Sequence, residues 1–230
     1  MKKDELSGLG SYQGGNFERD YPGGEKKWEI VKAAARLFIK KGTVNTGVRD
    51  IAEASGITVG TLYHYFKSKD DIIAAFMDYA VFGTGDFLKE AESRLEGLES
   101  GEALRMAIKL YLGFTNEAQD IVLFWHQETR NLIPELRKRL IDNELVLLNI
   151  FEKIIKGGRE KGVFEVQDLR LAAHNIIVMC DMWAFRRWDL GRRMTPQQYS
   201  EEQIDFILHG LCYNGFSAAK QQAKEVQQAK

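Results

Sequence analysis

The run TGVRDIAEASGITVGTLYHYFKSKDDII, residues 46–73, constrains this chain more than any other stretch. It reads as two short helices joined by a glycine turn, followed by a tyrosine- and lysine-rich segment that opens a third helix. Ile51, Ala52, Ile57, Leu62 and Phe66 supply the apolar side. Ala52 is small where two helices must cross closely. Gly56 suits the left-handed position that ends the first helix, where a Cβ is costly. The arrangement is a helix-turn-helix, whose second helix enters a major groove with its N-terminal residues toward base edges.

Features around the run support contact with DNA. Thr46 is expected to cap the first helix, which leaves Arg49 on its first turn near a phosphate. Lys67 and Lys69 follow the second helix, where a protein tracking the nucleic-acid backbone wants cations. Ser68 and Asp71 have capping-box spacing and restart the chain as a helix.

The same residues resemble the N-terminal domain of the TetR family of bacterial transcription regulators. The most specific part is Tyr63, Tyr65, Phe66, Ser68 and Lys69 after Gly60-Thr61-Leu62, and the likeness spans residues 26–79. It implies an all-α homodimer that represses or, less often, activates promoters, and that a small molecule releases from double-stranded operator DNA. By position, Thr46, Thr58, Val59, Gly60, Thr61, Tyr63, His64, Tyr65 and Lys69 match the family's usual DNA-contacting places. Val59 departs from the pattern, since a polar or basic side chain is frequent there; an apolar contact to a thymine methyl is expected instead.

A net charge of −1 looks wrong for a DNA binder until its distribution is read. Residues 25–70 hold nine Lys/Arg against five Asp/Glu, whereas residues 71–124 hold four against ten. A basic head on an acidic body presents the head to phosphate. Three domains are expected: a glycine-rich flexible arm at 1–24, the helix-turn-helix domain at 25–70, and a ligand-binding and dimerisation domain at 71–225. With three prolines in 230 residues and no alternating strand runs, the whole chain is expected to be all-α. No signal peptide or twenty-residue apolar span is present, so a cytoplasmic protein away from membranes is expected. Cys180 and Cys212 lack metal spacing and are expected to be buried thiols.

Helical periodicity places helices at 28–41, 69–96, 102–117, 121–130, 134–157, 168–188 and 201–220. Breaks are signalled by Gly101, Asp120, Pro134, Gly157-Gly158 to Gly162, and the Gly191 to Ser200 stretch, with Asp168 as a cap. Thr195–Gln198 and Ser200–Gln203 each have the form of a capped start. Leu169, Ala172, Ala173, Ile176 and Ile177, with Ile204, Ile207, Leu208 and Leu211, are the faces expected to meet a partner's copies. The 69–96 helix is expected to be the lever between ligand and head, pressed near Phe76, Tyr79, Phe82 or Phe87.

Enzymatic signatures are missing. There is no GxSxG, HExxH, GxxxxGK[ST] or GxGxxG, and the four histidines are never spaced as a metal pair. The chain is therefore expected not to be an enzyme and to need no cofactor or metal. A helical adaptor whose head docks protein is the reading from another class; weak salt dependence of binding would distinguish it.

Two aromatic segments mark candidate ligand contacts: Trp125, Glu128 and Arg130, and then Met179, Met182, Trp183, Arg186 and Arg187. Such stripes also suit plain core. Arg186 and Arg187 between Trp183 and Trp188 fit an anion near a stacking ring, or else pair with Asp181, Asp189 or Glu128, or lie exposed. The WxxxRW of residues 183–188 and the Thr195-Pro196-Gln197-Gln198 run also resemble the subgroup of TetR regulators that sense acyl-coenzyme A thioesters. That resemblance implies an acyl chain among Met, Phe and Leu side chains and phosphates at Arg186, Arg187 or Arg130. A hydrophobic drug-like molecule or other apolar metabolite is the alternative effector.

Overall fold

A computed structural model of the chain describes residues 24–78 and 93–211. Helices α1 (Gly24–Lys41), α2 (Val48–Ala54) and α3 (Val59–Tyr65) form a head with α4, which is helical over residues 69–78. The body consists of α5 (Ser100–Glu117), α6 (Gln119–Glu128) with a 3-10 turn at Thr129–Asn131, α7 (Pro134–Glu160), α8 (Leu169–Arg193) and α9 (Pro196–Leu211). There is no strand among the described residues. The expectations for the arm, the middle of the 69–96 helix with Tyr79, Phe82 and Phe87, Cys212, and the end of the last helix lie outside them.

Local chemistry explains the boundaries. Gly56 has φ +65°, and the Ile57 N–H reaches the Ala52 carbonyl at 3.0 Å, so the chain reverses within one turn. Thr58 caps α3 by accepting the Thr61 N–H at 3.1 Å. Ser68 and Asp71 exchange bonds of 3.0 and 3.1 Å, the reciprocal pair that starts α4. Asp168 caps α8 through the Leu171 N–H. Thr195 and Gln198 make the same reciprocal pair at the start of α9, which therefore begins before residue 201; Ser200 lies inside it.

Three glycine breaks are corrected. Gly101 lies in the first turn of α5, and Gly191 lies within α8. Helix α7 continues through Gly157 and Gly158 to Glu160. Gly158 is there for space: a Cβ would stand 2.1 Å from Cδ2 of the buried Phe164. The chain turns back at Gly162, at φ +73°, and the N–H groups of Val163 and Phe164 both reach the Gly158 carbonyl.

Two apolar cores result. In the body, Leu104, Ile108, Leu148, Phe151, Ile155, Ile176 and Trp183 pack together from three helices, α5, α7 and α8. In the head, Ile30, Phe38, Ile51, Leu62, Ile72 and Phe76 pack with Phe124, Leu132, Leu136 and Leu140 from the body. The head core is thus closed by the body. Cys180 is fully buried, and burial pushes its thiol up, leaving it protonated.

The expected partner-facing residues need correction. Ala173, Ile176, Ile177, Ile204 and Ile207 are spent on the chain's own core. The apolar side chains left exposed on the last two helices include Leu171, Val178 and Met182 of α8 and Phe206 of α9. No helix among the described residues is long and apolar enough to cross a membrane.

Candidate functional site

The head turns the polar side of its second helix outward. Leu62 is fully buried under it, which orients the rest of α3. Thr58, Gly60, Thr61, Tyr63 and His64 are exposed, and Val59 and Tyr65 are half-buried. The Thr58 and Thr61 hydroxyls lie 2.9 Å apart, and the His64 ring stands edge-on to Tyr65. Arg49 and Lys67 are exposed at the flanks. This is a polar surface flanked by exposed cations, an arrangement suited to backbone anchoring beside base-edge contact.

Two residues of that surface act differently from expectation. Thr46 does not cap α2. It is buried, its hydroxyl donates to the Gly42 carbonyl at 2.7 Å, and Gly47 is the capping residue, its N–H held by Asp50. Lys69 is half-buried and donates to the Thr43 carbonyl at 2.9 Å, so its ammonium is tied to the head's own loop.

The body holds a cavity of about 90 Å³ bounded by α5, α6, α7 and α8. Tyr111, Phe114, Trp125 and Leu147 form apolar walls, and Asp181, His126, Asn143 and Glu144 form a polar end. Asp181 is only 2% exposed. It accepts the Tyr111 hydroxyl at 2.8 Å and pairs with Nε2 of His126 at 3.1 Å. That hydrogen bond to Asp181 raises the His126 pKa against the opposing effect of burial. Burial, then the same carboxylate, pushes the Tyr111 phenol well up, so it stays protonated and donates.

The sequence pattern of "Bacterial regulatory proteins, tetR family" matches residues 30–76, and that of "Tetracyclin repressor-like, C-terminal domain" matches residues 97–211. This chain belongs to the TetR family. It is a DNA-binding transcriptional regulator. It is 28% identical to the transcriptional repressor KstR2 of Mycobacterium tuberculosis over 203 residues, covering 83% of this chain and 94% of that protein. Solved folds agree. FadR of Bacillus subtilis in complex with stearoyl-CoA superposes with TM-score 0.64 at 24% identity, over 80% of this chain and 98% of that one. AibR in complex with isovaleryl coenzyme A and operator DNA gives 0.68 at 22% identity, over 79% and 97%.

Head and body share a set of contacts centred on α6. The Glu128 carboxylate, at the end of α6, accepts the Thr43 N–H at 3.0 Å and a short bond from the Thr43 hydroxyl. Four residues earlier on the same helix, Phe124 meets Phe76 edge-on at 4.9 Å and Phe38 at 6.5 Å. Helix α6 also gives Val122, Trp125 and His126 to the cavity wall. One short helix therefore touches both the cavity and the head.

Of the eight expected ligand residues, only Trp125 borders this cavity. Glu128 is a buried clasp to the head, which corrects its assignment as a ligand contact. Trp183 is core: its indole donates to Asn116 at 3.0 Å and its ring lies 5.0 Å from Tyr199. Met179 is half-buried, while Met182, Arg130, Arg186 and Arg187 are exposed. Arg187 lies over the Trp183 ring at 5.7 Å and near Asp120, not at Asp181. Helical geometry gives the reason. Ile177 and Asp181, four residues apart, share the face of α8 toward the cavity, and residues 182, 186 and 187 are rotated away from it. Tyr111, His126 and Asp181 were missed, although an acid within the apolar run Ile176–Trp183 was the available signal.

Proposed function

We propose that this regulator is a dimeric repressor whose operator affinity falls when a small molecule occupies the cavity between α5, α6, α7 and α8. The observation that carries the reading is the double role of α6: Trp125 and His126 face the cavity while Phe124 and Glu128 hold the head. A ligand releases DNA only through different affinities for two states. Filling the cavity moves α6 outward and so changes the seat of the head on the body. Transmission then runs through α6 as well as α4, whose Phe76 is part of the shared core.

Operator contact is assigned to Thr58, Val59, Gly60, Thr61, Tyr63, His64 and Tyr65 for sequence, and to Arg49 and Lys67 for phosphates. Lys69 holds the Thr43 loop in place for them. Two heads at one groove repeat need a symmetric scaffold. The exposed stripe of Leu171, Val178 and Met182, with Phe206, is the self-complementary face proposed for it.

For the effector, acyl-coenzyme A thioesters are the class. Support comes from the ligands held by FadR and AibR, whose fold this chain shares. The cavity admits only a compact acyl end, and its two carboxylates repel phosphate. The nucleotide would therefore stay outside, and Arg130, exposed and next in sequence to the cavity-lining Thr129, is the arginine proposed to meet it. The test is to select operator sequences from fragmented genomic DNA, then titrate acyl-coenzyme A species against the protein–operator complex. A drop in affinity of roughly 5–150-fold is expected. If no thioester shifts it, an apolar metabolite becomes the effector class.

A further inference from the structure

The polar end of the cavity is rich in acceptors. A carboxylate offers about four lone-pair directions, and Asp181 has given two of its own to Tyr111 and His126. Among the donors of the lining, two are committed, and the buried Trp125 indole N–H has no partner among the described residues. Tyr111 spends its hydroxyl proton on Asp181, and Thr129 donates its hydroxyl to the Trp125 carbonyl. Glu144 adds a second carboxylate to the lining, Asn143 an amide, and no Lys or Arg is among the described lining residues.

Three kinds of ligand end can be compared against such a wall. A saturated hydrocarbon end offers no partner to Asp181 or Glu144 and gains no hydrogen bond at this wall. A carboxylate end meets two like charges at close range and is repelled. A hydroxyl end donates to an open lone pair of Asp181 or to Glu144, and its oxygen can still accept from the partnerless Trp125 indole N–H or the Asn143 amide. The apolar walls set the shape. Tyr111 and Phe114 lie stacked at 6.1 Å with 18° between their planes, and Trp125 closes another side, which suits a flat or compact group.

We infer that the buried end of the ligand is a compact, uncharged group bearing a hydroxyl donor, directed at Asp181. This rests on the reading above that the cavity holds the effector, and it adds the chemistry that the cavity selects. Asp181 becomes a specificity-determining residue.

The experiment uses the full-length protein and matched probes. p-Cresol and p-xylene differ only by a hydroxyl in place of a methyl, and their binding is measured by calorimetry. p-Cresol is expected to bind roughly tenfold tighter or more, the scale of one hydrogen bond to a charged acceptor. Asp181→Asn should collapse that preference. Tyr111→Phe, which frees another Asp181 lone pair and removes no acceptor from it, should keep or enlarge it. It serves as the second variant if Asp181→Asn misfolds. Equal affinities, or a preference for p-xylene, overturn the inference. Absence of binding by either probe removes the cavity as a ligand site and overturns both readings. A parallel arm titrates the operator complex with 4-hydroxybutyryl-coenzyme A and valeryl-coenzyme A. If the probes show the hydroxyl preference but neither thioester releases DNA, the effector class fails and the inference stands.

Discussion

The carboxylate of Glu128 in the body and the backbone N–H of Thr43 in the head, 85 positions apart in the chain, are joined at 3.0 Å. Glu128 is 8% exposed, and Asn131 approaches the same oxygen at 3.4 Å. The clasp sits where α1 ends: Gly42, at φ +80°, turns the chain so that Thr43 faces the carboxylate. Lys69 then holds the Thr43 carbonyl from α4. Three elements meet at one residue.

Glu128→Ala should leave the Thr43 N–H and hydroxyl buried without their acceptor, a loss of about 1–3 kcal/mol in stability. Its effect on function is separable. With the head less firmly seated, less effector is needed to release DNA, so the titration midpoint should fall. An unchanged melting temperature together with an unchanged midpoint would show that the clasp is idle.

Gly42→Ala attacks the same place from the other side. Its Cβ would stand 2.8 Å from Oε1 of Glu128, on a backbone conformation that favours glycine. A loss of more than about 1 kcal/mol is expected, and denaturant unfolding measures it. In the double variant Gly42→Ala/Glu128→Ala the steric part disappears, so the two losses should not add.

Lys69→Ala should weaken binding to every sequence while also lowering stability, because the Thr43 carbonyl loses its donor. Arg49→Ala should weaken binding equally generally, reduce its salt dependence, and leave stability within about 0.5 kcal/mol. Changes at Thr61 or Tyr63 should instead alter which sequence is preferred. Competition binding against an operator and a scrambled duplex separates these patterns. Identical profiles for all four variants would remove the assignment.

How far the sequence carried depended on whether a feature was local. The turn at Gly56, the Ser68–Asp71 pair and the Asp168 cap are set within a few residues, and the pattern shows them directly. Recognition as a TetR-type DNA-binding regulator rested on that same local run. Features set by distant partners were hidden. Gly158 looked like a helix breaker because nothing in the sequence says that Phe164 folds back over it. Glu128 looked like a ligand contact because its partner, Thr43, lies in another domain. The aromatic pattern of residues 179–188 marked a packed helix, but only the rotation of α8 decides that Asp181 faces the cavity and Arg186 does not. Two substitutions check this account. Gly158→Ala should destabilise by more than about 1 kcal/mol through overpacking, with partial recovery in Gly158→Ala/Phe164→Leu. Trp183→Ala should cost about 3–5 kcal/mol as a core deletion, far beyond the effect of Arg186→Ala.

The last expectation is a pH dependence. Asp181 of α8 faces Tyr111 of α5 and His126 of α6, with Glu144 of α7 adding its charge to both. The hydrogen bond to Asp181 raises the His126 pKa above its ordinary 6.5. A group whose pKa rises on folding binds its proton more tightly in the native state. Its contribution is therefore fully present below about pH 6.5 and is lost as pH rises through the folded value. The imidazole is 42% exposed, so solvent screening keeps the contribution small. Comparing wild type with His126→Ala by thermal unfolding at about pH 5.5 and about pH 8.5 isolates it. The wild-type advantage should be larger at the lower pH. An NMR titration should place the His126 midpoint above 6.5, and Asp181→Asn should bring it down. A midpoint that ignores Asp181→Asn would mean that the pair is not formed in solution, and the cavity would then present a freer carboxylate to its ligand.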